Sequence, residues 1–245
     1  MECVYRLRPI NDKTIEELQN NYLWFSKRCG FKDVEDANVG AFMCDTPQIQ
    51  KGFELFLNEK GLADFIRLMD DVGICCFTKD LPQDNELNNF PNGNKSLCIE
   101  YNKAVLEDFF FNEIYAMHNP FKEVEYAEKP TIIKTDGEYH IMTKNIPGGE
   151  VYESIYTLFN DPKRIDELVW LLLTRLNIKF YKQKELRIII GGRNLDNVED
   201  QGTGYNVQIP EGAISRVFLY KDPGEDFFHQ LLNIPRLQNK LVKLY

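Results

Sequence analysis

Gln183-Lys184-Glu185-Leu186-Arg187-Ile188-Ile189-Ile190 is a charged entry into an apolar run that stops at Gly191-Gly192. A short, β-branched apolar stretch bounded by glycine predicts a buried strand. Side chains alternate along a strand, so Glu185, Arg187 and Ile189 share one face while Leu186, Ile188 and Ile190 share the other. Gln183, two residues earlier, is expected on the Glu185 face. A carboxylate and a guanidinium two residues apart at the mouth of a core strand form either a structural ion pair or part of a site. On the sequence both readings stand.

Working outward, Cys3–Arg8 predicts a first strand that Pro9 ends, and Asn11 or Asp12 caps a short helix in which Thr14-x-x-Glu17 has capping-box spacing. Strands are expected at Tyr22–Ser26, Gly73–Thr78, Ser96–Tyr101, Glu123–Tyr126, Tyr205–Pro210, Ile214–Tyr220 and Lys240–Tyr245. Thr131–Lys134 and Tyr139–Thr143 read as a hairpin turned by Asp136-Gly137. Helices are expected from Thr46-Pro47 to Gly61, over Leu62–Asp70, from the Asn102 cap to Met117, over Glu150–Phe159 and over Asp226–Leu232. A further helix begins at Asp161-Pro162, with Ile165, Leu168, Val169, Leu172 and Leu176 on one stripe. The order of strands and helices is irregular, with no repeat or linker. It predicts one α+β domain over 1–245, a mixed or mostly antiparallel sheet flanked by helices.

The net charge of −9 over 245 residues argues against general nucleic-acid binding, which needs a basic footprint on the phosphates. A small nucleotide held by a local arginine cluster stays open. Cys3, Cys29, Cys44, Cys75, Cys76 and Cys98 show no CxxC spacing and read as free, mostly buried thiols of a cytoplasmic protein. Glu2, Arg6 and Arg8 interrupt any signal peptide, and no 18-residue apolar run suggests a membrane span. His118, His140 and His229 are far apart, without HExxH or Cys/His pairs, so no metal site is expected.

The order of landmarks resembles a bacterial and phage family, domain of unknown function 2971. Tyr5-Arg6, the Thr14–Asn20 helix and Trp24-Phe25-Ser26 match its opening. Phe31 and Asp33 are what remains of its Phe-Asn-Asp-Pro loop. Gly73-Ile74-Cys75-Cys76-Phe77-Thr78, Leu97-Cys98-Ile99-Glu100-Tyr101, Gln183-x-Glu185-x-Arg187 and Ala213-Ile214 follow in family order, and the Met-Trp-x-x-Tyr stretch is missing. The chain is also similar, more loosely, to ADP-ribosyltransferases with an Arg, Ser-x-Ser and Gln/Glu-x-Glu pattern. Here that pattern is Arg6, Cys76-Phe77-Thr78 and Gln183-Lys184-Glu185, with Cys76 in place of the first serine.

That similarity implies NAD as substrate. Glu185 would stabilise the oxocarbenium-like state and Gln183 would orient the acceptor. Arg6 would hold the pyrophosphate as a fork-shaped donor. Thr78, Tyr5 and Arg187 would complete the NAD-binding set. The implied function is an ADP-ribosyltransferase-like or NAD-hydrolysing effector in a toxin or phage-conflict system. The alternative is a non-catalytic module that binds a protein partner or a nucleotide. The missing Met-Trp-x-x-Tyr favours the second and the retained Gln-x-Glu the first. Convergence of Arg6, Thr78 and Glu185 on one cleft would separate them.

Overall fold

Asn11 starts the first helix, because its side-chain oxygen accepts a hydrogen bond from the Thr14 N–H at 3.1 Å. Of the two expected caps Asn11 is thus the one used; Thr14, noted for its capping-box spacing with Glu17, is the third helical residue, and its hydroxyl donates back to the Pro9 carbonyl at 2.6 Å. The helix, α1 (Asp12–Asn20), ends at Asn21, whose φ of 54° is a left-handed cap that asparagine tolerates. The Asn21 amide then donates to the Ile209 carbonyl at 2.6 Å, tying this corner to a segment far along the chain.

The computed structural model describes residues 2–31, 43–44, 47–48, 51, 55, 70–111, 120–127, 132–134, 140–154, 156–157, 173–191 and 198–245. The first strands are β1 (Cys3–Pro9), β2 (Tyr22–Lys27), β3 (Met43–Cys44), β4 (Val72–Thr78), β5 (Ser96–Asn102), β6 (Phe121–Glu123), β7 (Glu125–Ala127) and β8 (Ile132–Lys134). They continue with β9 (His140–Ile146), β10 (Gly149–Ser154), β11 (Arg175–Asn177), β12 (Glu185–Gly191), β13 (Val198–Asp200), β14 (Gly204–Gln208), β15 (Ile214–Leu219) and β16 (Leu241–Lys243). Two further helices are α2 (Lys103–Phe109), capped by the Asn102 side chain, and α3 (Glu225–Leu232).

The fold is α+β. Its main sheet has ten strands in the order β13-β14-β2-β4-β1-β5-β15-β16, with β12 pairing β4 and β6. The sheet is mixed and mostly antiparallel, with β15 and β16 parallel. As expected, the segments 3–8, 73–78 and 185–190 lie in this one sheet.

Chain contacts form two compact units. The first holds 1–26, 73–123 and 182–245, and the second 27–72 and 124–181. In the first unit both faces of the sheet carry apolar side chains. Val4, Cys75, Phe77, Ile99, Tyr101, Leu186 and Ile188 line one face, under Ile15 and Leu18 of α1 and Leu106 of α2. Cys98, Phe218 and Tyr220 line the other with Leu87, and Tyr5 and Leu7 pack against them. In the second unit a four-stranded sheet runs β10-β9-β8-β3, and β7 pairs with β11 in parallel.

Several sequence expectations are corrected. Glu150–Phe159 is not one helix, because Gly149–Ser154 is strand β10, in a hairpin with β9. Pro147-Gly148 is its two-residue loop. Proline presets one φ, and Gly148 takes the following position at a φ of 114°. Leu176 lies in strand β11, where Arg175 pairs with Glu125 at 3.1 Å, rather than on a helical stripe. The rest of that stripe, most of the helices expected over 46–70, the end of the α2 helix toward Met117, Asp33 and the Asp136-Gly137 turn lie outside the described residues. Glu123–Tyr126 is two strands, β6 and β7, in different sheets. Cys3, Cys29, Cys75, Cys76 and Cys98 form no disulfide among the described residues. Cys75 and Cys98 are buried, Cys3 and Cys76 half-buried, and Cys29 exposed.

Candidate functional site

Register decides which predicted residues can meet. Tyr5 is the β1 partner of Thr78 on β4, and antiparallel partners project to the same face. Alternation then turns Arg6 to the opposite face, with Val4, toward α1. On β12 the core-facing set is Leu186, Ile188 and Ile190, which leaves Glu185 and Arg187 on the face shared with Thr78 and Tyr5. The Lys79 N–H donates to the Lys184 carbonyl at 3.2 Å, bringing the strand ends at Thr78 and Glu185 side by side. Tyr5, Thr78, Glu185 and Arg187 therefore share a face, and Arg6 does not.

Gln183 is also placed differently from the sequence expectation. It closes a 3₁₀ helix over Ile178–Gln183 instead of extending the strand. Lys184, between it and Glu185, has a left-handed φ of 45°, which breaks the two-residue alternation. The Gln183 amide donates to the Asn89 carbonyl at 2.7 Å, and Lys184 Nζ pairs with Asp80 at 2.6 Å. A buried amide with that bond in place holds a loop; it does not point at a neighbour of Glu185.

The ionic groups pair with one another. Arg187, 0% exposed, donates from Nε to Glu185 Oε1 at 2.6 Å. Arg6 donates from Nη1 to Glu17 Oε1, and from Nη2 to the Trp24 carbonyl at 2.8 Å. Arg8 Nη2 meets the second oxygen of the same carboxylate at 2.6 Å, and Glu17 is 1% exposed. Beside this cluster the buried Tyr101 hydroxyl has no hydrogen-bond partner among the described residues, and burial raises its pKa. On the other face Arg216 grips Glu100 through Nε and Nη2, both at 2.8 Å. Burial, and then the Glu100 carboxylate, push Tyr5 up to about 12.

Arg28–Asp70, Arg175–Glu125 and Arg236–Glu211 extend the same pattern. All the arginines among the described residues thus sit beside a carboxylate. A phosphate-binding fork needs a guanidinium free to turn outward. An oxocarbenium-stabilising carboxylate needs a lone pair aimed into a cleft. Glu185 and Arg6 have instead the geometry of internal pairs.

Sequence reasoning named Glu17 only for capping-box spacing and Glu100 only as part of a strand landmark, and gave Arg216 and Lys243 no role. Glu17 was legible as a helical residue one turn past the Thr14 position and on its buried side. Glu100 was legible from alternation against Leu97, Ile99 and Tyr101. Their arginine partners come from other strands, and pairings of that kind carry no local signal. Among the described residues no group of three or more His, Cys, Asp or Glu side chains could hold a metal ion. Among them, too, no helix is long and apolar enough to cross a membrane. No family model, curated protein or solved structure matches the chain.

Proposed function

We propose that this protein is a non-catalytic interaction module that recognises a protein partner in the reducing cytosol. Arg6 carries the reading. It lies on the opposite sheet face from Thr78 and Glu185, with its two terminal nitrogens on Glu17 and the Trp24 carbonyl. An NAD-cleaving arrangement of the expected kind needs those three side chains around one ligand. The carboxylate pairing of the arginines also favours a protein partner over a nucleotide, whose phosphates call for an uncommitted fork. Cysteines outside any disulfide among the described residues fit a reducing compartment. The order of strand landmarks supports grouping the chain, as a divergent member, with domain of unknown function 2971.

Nicotinamide release from NAD tests the reading directly. The wild-type protein is expected to release none, and Glu185→Gln to lower the urea midpoint. Release that is lost in Glu185→Gln at an unchanged midpoint would overturn the module reading in favour of NAD chemistry.

A further inference from the structure

β16 is the terminal strand of the ten-stranded sheet and pairs only with β15 among the described residues. The Val217 N–H donates to the Lys240 carbonyl at 2.9 Å, and the Leu244 N–H to the Leu219 carbonyl at 2.9 Å. Bonding direction alternates along a strand, so Leu241 and Lys243 turn their own N–H and C=O groups outward. Beside that edge is a groove of about 480 Å³ lined by the apolar Phe228, Leu232, Leu237 and Leu241 and by the polar Gln238, Asn239 and Lys243. Leu232 is 48% exposed, and Leu244 and Tyr245 nearby are also exposed.

Charge identifies the occupant. Lys243 Nζ sits 4.1 Å from the Phe228 ring centroid and 5.5 Å from that of Tyr245. It has no carboxylate within ion-pair distance among the described residues. In a chain of net charge −9 whose described arginines are all carboxylate-paired, that ammonium is a cation held on aromatic faces at the rim of an apolar groove. A second copy would bring its own Lys243 to the same edge, lysine against lysine, and a lysine on an edge strand disfavours self-pairing.

We infer that the β16 edge and its groove bind an extended acidic peptide by strand addition. The peptide backbone pairs with Leu241 and Lys243. Alternate side chains face the groove, an apolar one over Leu232 and Phe228 and a carboxylate against Lys243. This rests on the module reading and names its partner chemistry.

The test uses the full chain and a capped, fluorescein-labelled peptide in which Leu, Leu, Glu and Glu alternate with Thr, read by anisotropy. Wild type is expected to bind it saturably, more weakly as salt rises, and to ignore the same peptide with Lys for Glu. Lys243→Glu and Leu232→Asp should each weaken binding about tenfold or more. Their urea midpoints should hold, because both side chains are exposed. N-methylation of the groove-side amides should abolish binding. No saturable binding up to about 1 mM, an affinity beyond which specific recognition is marginal, overturns the inference. Equal binding of the Lys peptide, indifference to N-methylation, or a self-dimer abolished by Leu232→Asp does so as well. Nicotinamide release is scored on the same protein. NAD cleavage overturns the module reading, whereas loss of peptide binding without cleavage overturns the strand-addition inference alone.

Discussion

Thr78 lies across from Tyr5 in the β1–β4 pair, and that register turns Arg6 away from Thr78 to the face where Glu17 lies. Glu17 receives both Arg6 and Arg8 while only 1% exposed, so it balances two guanidiniums where water cannot. Removing one member of a buried ionic group costs about 3–5 kcal/mol, because the charge left behind stays desolvated. Glu17→Gln keeps the shape and removes the charge, and is expected to cost that much in urea unfolding. Thr78→Ser, on the other face, is expected to change the midpoint little. Equal losses in the two variants would contradict the placement of Arg6.

Glu185→Gln is expected to cost about 3 kcal/mol, since Arg187 is wholly buried and donates to that carboxylate. Replacing both partners with apolar residues of similar volume, Glu185→Leu with Arg187→Met, should recover much of the loss, because neither charge is then buried. Urea unfolding of the two single variants and the double variant measures the coupling. A double variant as unstable as the sum of the singles would mean that the pair does not act as a unit.

Gly73→Ala is expected to destabilise by about 1–3 kcal/mol, the range for overpacking a filled core. A Cβ there would meet Tyr205 at 2.8 Å, Phe25 at 2.9 Å and Ile190 at 3.2 Å, all core side chains with little room to yield. Thermal unfolding checks it. An unchanged melting temperature would mean that β2, β4, β12 and β14 do not pack as closely as found.

Much of the fold was legible because strand signals are local. The alternation of Glu185 and Arg187 against Leu186 and Ile188, and the Asn102 cap of α2, follow from neighbours in sequence. What failed was a feature decided by one backbone torsion or by distant chain. The left-handed φ at Lys184 removed Gln183 from the strand, and the Pro147-Gly148 turn paired the start of the helix expected over Glu150–Phe159 with β9 as a strand. The candidate site was less legible than the fold. The face of Arg6 was fixed by alternation, but which strand lay beside β1, and in what register, was not. Thr78 could therefore be expected beside Arg6 although the sheet separates them. Glu100 and Arg216 are 116 positions apart in sequence and meet only through the β5–β15 pair.

Cys75 and Cys98 are the first strongly raised groups to act on stability at alkaline pH, ahead of the tyrosines raised by burial. Burial pushes each thiol from its ordinary 9.0 up to about 12. Tyr5 and Tyr22, pushed up by burial from 10.0 to about 12, act in the same direction. Below about pH 9 these groups are protonated in both the folded and unfolded chains and add no slope. Between about pH 9 and 12 the unfolded chain releases protons that the folded chain retains. Unfolding is then favoured as pH rises, by about 1.4 kcal/mol per pH unit for each fully buried thiol. Urea midpoints measured at about pH 8, 9, 10 and 11 should be flat over the first interval and then fall, more steeply once the tyrosines join near pH 10. The double variant Cys75→Ala, Cys98→Ala should start lower, because it leaves cavities, and should lose less between pH 9 and 10. A midpoint that falls equally in both proteins over that interval would place the titrating groups elsewhere.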